Sequence, residues 1–129
     1  MPKIVLANGC FDILHIGHVR YLQEARKLGD KLVVGVTANA FVNKGPDRPL
    51  YDQDERLHVV GSLSCVDIAF ICEGGGDALR RAKPHIFVKG REYKTMIEPE
   101  HEEYCRKHNI KIMFTDTEYV RPLARLARS

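Results

Sequence analysis

The sequence predicts an α/β fold: a doubly wound sheet of about five parallel strands forming a single domain over residues 1–129. Three observations carry this expectation. Short apolar runs of strand type alternate with helical stripes along the whole chain. The segments between successive strands are long enough for right-handed crossover helices, which impose parallel pairing. A length of 129 residues suits one compact domain with its own core.

In order, Lys3–Ala7 reads as a buried strand and Gly9–Gly17 as a glycine-bounded loop. His18–Leu28 follows as a helix with Val19, Leu22, Ala25 and Leu28 on one stripe, and Gly29 stands where a C-cap glycine belongs. Lys31–Thr37 is the second strand, and the loop Asn39–Leu50 carries Gly45, Pro46 and Pro49. Asp52 or Asp54 caps a helix reaching about Leu63. Val66–Cys72 is the third strand, followed by Gly74-Gly75-Gly76 and a short helix over Asp77–Ala82. His85–Val88, a helix over Glu98–His108 and the strand Lys111–Thr115 come next, with a last helical piece near Arg121–Arg128. Such a Rossmann-like sheet binds ligands at the carboxyl ends of its strands, beside the point where strand order reverses.

Composition narrows the function. A formal charge of +3 with no basic run argues against a nucleic-acid partner. Arg80, Arg81, Lys83, Lys89, Arg91 and Lys94 lie close together in the sequence, which suits a phosphorylated small molecule better, although most are expected to be solvated singly. No apolar run reaches the length of a membrane span, and Met1-Pro2-Lys3 leads straight into a strand, so a cytoplasmic protein with no membrane partner is expected. Cys10, Cys65, Cys72 and Cys105 show no C-x-x-C spacing, and Cys65 and Cys72 read as core thiols. His101, Cys105 and His108 share a helical face but lack a fourth ligand, so a helix surface is the simpler reading than a metal site.

The chemistry concentrates in Asn8-Gly9-Cys10-Phe11-Asp12-Ile13-Leu14-His15-Ile16-Gly17-His18, at the end of the first strand. Gly9 permits close backbone approach, and Gly17 places backbone N–H groups at a helix N-terminus, where phosphate is favoured. His15 and His18 flank Gly17 three residues apart, so both imidazoles can point at one spot and donate to a phosphate as charge builds there. The blander reading is a pair of histidines that cap and pack a helix start. The whole segment resembles the G-x-F-D-x-x-H-x-G-H motif of the cytidylyltransferase-like nucleotidyltransferases, matching Gly9, Phe11, Asp12, His15, Gly17 and His18 without a gap. The G-x-G-x-x-G of a dinucleotide-dependent oxidoreductase is absent after the first strand.

Two later segments carry the resemblance further. Asn43–Pro49 with Asp54-Glu55-Arg56 resembles the K-G-x-x-R-P…E-Q-R segment in the nucleotidyltransferase domain of ADP-heptose synthases. Val66-Asp67 and Val88–Tyr93 resemble that family's V-D and V-K-G-x-D-Y. The resemblance implies that His15 and His18 hold the α-phosphate while Lys44 and Arg56 draw charge from the β- and γ-phosphates; Arg56 could equally pair with Asp52 on a helix surface. It also implies a nucleotide site made by Gly9, Cys10, Phe11, Asp12, Gly17, Lys89, Gly90 and Glu92, with Arg91 and Tyr93 toward the acceptor. Asp12 would order the loop or a metal-bound water. A second family signature, R-T-E-G-I-S-[ST]-T, is altered here to Asp116-Thr117-Glu118-Tyr119-Val120-Arg121-Pro122-Leu123; Thr117 remains and Arg121 replaces a hydroxyl. Either Arg121 supplies the phosphate contact by charge, or that corner has lost it.

The implied activity is transfer of CMP from CTP to a small phosphate- or phosphonate-bearing acceptor, with Mg²⁺ on the triphosphate and release of pyrophosphate. The heptose-type segments carry the alternative of ATP, with heptose 1-phosphate or flavin mononucleotide as acceptor. A non-catalytic nucleotide-binding module is the reading from a different class. The resemblance further implies a homodimer or a place within a larger multidomain enzyme.

Overall fold

The computed structural model describes residues 2–94 and 96–116. Five strands and four helices alternate: β1 (Ile4–Gly9), α1 (Ile16–Arg26), β2 (Lys31–Thr37), α2 (Gln53–Gly61), β3 (Ile68–Cys72), α3 (Gly75–Ala82), β4 (Ile86–Lys89), α4 (Pro99–Lys107) and β5 (Lys111–Phe114). Every pairing is parallel and the sheet order is β3-β2-β1-β4-β5. The chain therefore builds outward from β1 in one direction, then crosses to its other side at β4. The switch point lies between β1 and β4, and the loops leaving these two strands face each other across it.

Period-2 alternation sorts the strand side chains onto two faces. Val5, Ala7, Leu32, Val34, Val36, Ile86 and Val88 join Leu22 and Ala25 of α1 and Val60 of α2 in one core. Leu6, Val33 and Phe87 project the other way, meeting Ala78 and Leu79 of α3 and Cys105 of α4. Full burial of each large apolar side chain contributes about 1.5–3 kcal/mol. Central strands apolar on both faces are what a parallel sheet covered by helices requires.

Several boundaries differ from expectation for identifiable reasons. Helix α1 begins at Ile16, two residues early, because the His15 side chain itself caps it. Strand β3 begins at Ile68 because the Asp67 carboxylate accepts the Leu32 N–H at 2.8 Å and pairs with Arg26 at 3.0 Å. Asp52 occupies the N-cap position of α2, yet its carboxylate accepts the Asn39 side-chain amide and caps no helical N–H. Gly29 is not a left-handed cap. It is bare because a Cβ there would lie 2.7 Å from Val5 Cγ2 and 2.9 Å from the Lys3 carbonyl. Helix α3 starts at Gly75, two residues before the expected Asp77. The helix expected near Arg121–Arg128 lies outside the described residues.

Candidate active site

The turn between β1 and α1 is built by its own side chains. Phe11 takes a left-handed backbone (φ 52°) and buries its ring, which meets His18 edge-on at 5.3 Å. A Cβ on Gly9 would stand 3.2 Å from that ring, so the bare backbone of Gly9 makes room for Phe11. His15 is the N-cap: its Nδ1 accepts the Gly17 N–H at 3.0 Å, while His18 Nδ1 accepts the His15 N–H at 3.2 Å. The two imidazoles thus form a reciprocal capping box, with ring centroids 3.9 Å apart. The N–H of Gly17 is consequently taken by His15 and does not stand open at the helix start.

This capping fixes the chemistry of both rings. A neutral imidazole carries one hydrogen, and a nitrogen that accepts cannot hold it. With each Nδ1 accepting a backbone N–H, the hydrogen of each ring belongs on Nε2. Burial pushes His18 down to about 4, with the charges of His15 and Lys44 adding to the effect. Burial, then Lys44, lowers His15 in the same direction. Both rings are therefore neutral near pH 7, with the hydrogen of each on Nε2. Capping uses Nδ1 of each ring and leaves the hydrogen on the opposite nitrogen.

Asp12 is 2 % exposed, and its carboxylate accepts from Arg48 Nε at 2.8 Å, Leu50 N at 2.7 Å and Tyr51 N at 2.9 Å. Burial alone would push this carboxyl up. The hydrogen bonds from Leu50, Arg48 and Tyr51 together outweigh burial and hold it below the usual range. Of its two expected roles, the structure shows the ordering of a loop. Its donors come from the far arm of the segment that carries Lys44.

Arg56 is a correction to expectation. It is neither a helix-surface partner of Asp52 nor presented toward the cleft; it is 2 % exposed. Its guanidinium donates to the carbonyls of Tyr51 (2.9 Å), Cys10 (2.8 Å) and Thr37 (2.7 Å), and to Asn39 Oδ1 (2.9 Å). The Cys10 and Thr37 carbonyls lie at the ends of β1 and β2 and that of Tyr51 just before α2, and an arginine fork reaches all three at once. Arg56 thus braces the floor of the site. Thr37 adds a bond from its hydroxyl to the Gly9 carbonyl at 3.1 Å.

Across the switch point, Lys89 places Nζ 3.5 Å from Asn8 Oδ1 and 4.9 Å from the centre of the Tyr93 ring. Gly90 is buried behind it, and Arg91, Glu92 and Tyr93 form a 3-10 turn with Arg91 and Tyr93 exposed. Lys44 is exposed on its loop, yet its charge acts on both imidazoles. The structure therefore gathers His15, His18, Gly17, Cys10 and Lys44 on the β1 side, with Lys89–Tyr93 opposite. Thr117 and Arg121 lie outside the described residues. On α4, Cys105 is buried, His108 stacks on Tyr104 at 4.2 Å, and His101 lies against Gly75, so the three do not converge. Cys72 is a fully buried thiol and Cys65 a half-buried one beside the core. Sequence reasoning gave no role to Arg48, Asn39 or Thr37; the pairing of Arg48 with Asp12 spans 36 residues and has no local signal.

The family model described as Cytidylyltransferase-like matches residues 6–125. The chain belongs to the cytidylyltransferase-like family. This cytidylyltransferase-like domain is 47% identical over 95 residues to the bifunctional protein HldE of Trichlorobacter lovleyi, covering 70% of this chain and 19% of that protein. It is 49% identical over 96 residues to the HldE of a Nitratiruptor species, covering 71% and 21%. The chain thus spans about one-fifth of the length of these relatives. Among solved structures, the lipopolysaccharide core biosynthesis protein of Thermoplasma volcanium superposes with a TM-score of 0.75 at 31% identity, covering 92% of this chain and all of that one. Pantoate-beta-alanine ligase of Francisella tularensis shares the fold, with a TM-score of 0.66 at 18% identity over 94% of this chain and 61% of its own.

Proposed function

We propose that this domain is a nucleotidyltransferase that uses ATP, transferring the adenylyl group to a small phosphorylated acceptor of the sugar phosphate class. The carrying observation is the pair of neutral imidazoles whose Nδ1 atoms are held by backbone N–H groups, so that two Nε2–H donors belong to one turn at the switch point. Such donors stabilise charge that grows on the α-phosphate oxygens. An oxygen of the acceptor phosphate attacks the α-phosphorus in line, and the bond to the α,β-bridging oxygen breaks as pyrophosphate leaves with its electron pair. The acceptor oxygen is already anionic near neutral pH, so no general base is needed; positioning and charge do the work.

The general motif favours CTP, but the relatives reported above are HldE proteins, the ADP-heptose synthase family that the Asn43 and Val88 segments resemble. Their identity of 45–49% extends over 94–96 residues, beyond what the histidine motif alone supplies. That supports ATP over CTP. The motif carboxylate Asp12 has no exposed surface and already accepts from Arg48, Leu50 and Tyr51, so it does not fit as a ligand for Mg²⁺. Mg²⁺ would instead arrive on the phosphate oxygens of the nucleotide.

A thermal-shift series with ATP, CTP, GTP and UTP, each with Mg²⁺, tests the donor. Selective stabilisation by ATP is expected, with pyrophosphate released when heptose 1-phosphate is added. Selective stabilisation by CTP would return the assignment to cytidylyl transfer. Nucleotide binding without pyrophosphate release across an acceptor panel would make the domain a binding module.

A further inference from the structure

We infer that Arg48 is a positioning residue for this transfer: anchored by Asp12, it acts through Lys44 and does not touch the nucleotide. The inference rests on the nucleotidyl-transfer reading and deepens it. Lys44 stands on an exposed segment followed at once by Gly45, whose φ of 115° turns the chain in open space. The Gly45 carbonyl accepts the Arg48 N–H at 3.2 Å, closing a four-residue turn directly after Lys44. The Arg48 side chain then donates Nε to Asp12 Oδ2 at 2.8 Å. A single residue thus closes the turn with its backbone and ties it down with its side chain.

The anchor is rigid because Asp12 is buried and held by three hydrogen bonds. Its side chain has no exposed surface, and the same carboxylate holds the Leu50 and Tyr51 N–H groups. The returning arm of the Lys44 loop is therefore fixed to the turn that carries His15 and His18, three and six residues beyond Asp12. The outgoing arm is fixed independently: Arg56 donates to Asn39 Oδ1 at 2.9 Å, and Asn39 N–H donates to Gln53 Oε1 at 3.0 Å. Both feet of the loop are held, and the bend between them presents Lys44. Moving Arg48 Nε away from Asp12 would break its pairing with a buried carboxylate, which is strongly unfavourable, so Arg48 stays tied to the turn. Its charge is spent on Asp12, and Lys44 is left to act on the ligand.

A double-mutant cycle distinguishes action through Lys44 from direct contact. The measured quantity is the Kd of α,β-methylene-ATP with Mg²⁺ for wild type, Arg48→Gln, Lys44→Ala and the double variant, with thermal unfolding followed for each. Arg48→Gln is expected to weaken binding about tenfold when Lys44 is present and less than about twofold when it is absent, a coupling ordinary for neighbouring groups. Equal weakening in both backgrounds, or none in either, overturns the inference. Asp12→Asn, which keeps the shape but cannot accept all three N–H groups, should repeat the same pattern if Arg48→Gln unfolds the loop. A wild-type protein that binds the analogue, with an additive cycle, sinks only the positioning role. A wild-type protein that does not bind it removes the nucleotidyl-transfer reading as well.

Discussion

His15 caps a helix with one nitrogen and is proposed to meet the ligand with the other, so the two roles can be separated. Its Nδ1 caps α1 by accepting from Gly17, while the hydrogen on its far nitrogen is the donor proposed for phosphate. Asparagine is among the best N-cap residues and its side-chain oxygen can replace Nδ1, but it has nothing to replace Nε2–H. His15→Asn should therefore keep the thermal midpoint of the wild type while pyrophosphate release falls about 10²–10³-fold. An active variant would show that Nε2 donates nothing of consequence. The motif itself was readable from residue types and spacing alone. That its histidines cap the helix with their inner nitrogens was not, since both readings of a histidine at a helix start were open; the structure shows the capping one.

Acid sensitivity belongs to the same scale. His18 is held down to about 4 by burial first and by the charges of His15 and Lys44 second, against a usual value of 6.5. The unfolded chain therefore takes up the proton before the folded one does. Its contribution to stability is complete above about pH 6.5 and is lost as pH falls toward about 4. Asp12 is also lowered, so its contribution fades only at still lower pH, through and below the usual carboxylate value of 3.8. Urea midpoints measured from about pH 7 down to about pH 4.5 should fall for the wild type and fall less steeply for His18→Asn. Parallel slopes would mean that the ring is not desolvated as described.

At the level of elements, the order and type of every described strand and α-helix followed from periodicity, but the ends were set by side chains acting across the chain. Asp67 ends the approach to β3 by accepting from Leu32, and Asn39 draws Asp52 away from capping α2. Such contacts span 35 and 13 residues, so no local pattern announces them. Gly29 is not the helix cap it was read as: α1 ends at Arg26 with Lys27 as its C-cap, and the bareness of Gly29 serves close packing on β1. Gly29→Ala should accordingly destabilise the domain by about 1–3 kcal/mol, as overpacking does, because the Lys3 carbonyl is backbone and cannot step aside. A denaturation midpoint equal to the wild type's would refute the close approach. A C-cap explanation would also predict destabilisation, but only where φ is positive, which it is not at Gly29.

For the molecule as a whole, strand order decides where chemistry can occur. Alternation predicted parallel strands but not their sequence in the sheet; the order β3-β2-β1-β4-β5 puts the H-x-G-H turn and the Lys89–Tyr93 turn at the carboxyl ends of the adjacent strands β1 and β4. The arginine brace beside them joins β1, β2 and the Lys44 loop, and it was missed because a helix-borne arginine looks the same whether it faces solvent or three carbonyls. The most direct test is long-range ¹H–¹⁵N NMR of the His15 and His18 rings at neutral pH, before and after adding α,β-methylene-ATP with Mg²⁺. Both rings should be neutral with hydrogen on Nε2, and the Nε2 resonances should move on nucleotide binding while Nδ1 stays an acceptor. Hydrogen on Nδ1, or Nε2 signals indifferent to bound nucleotide, would contradict the account.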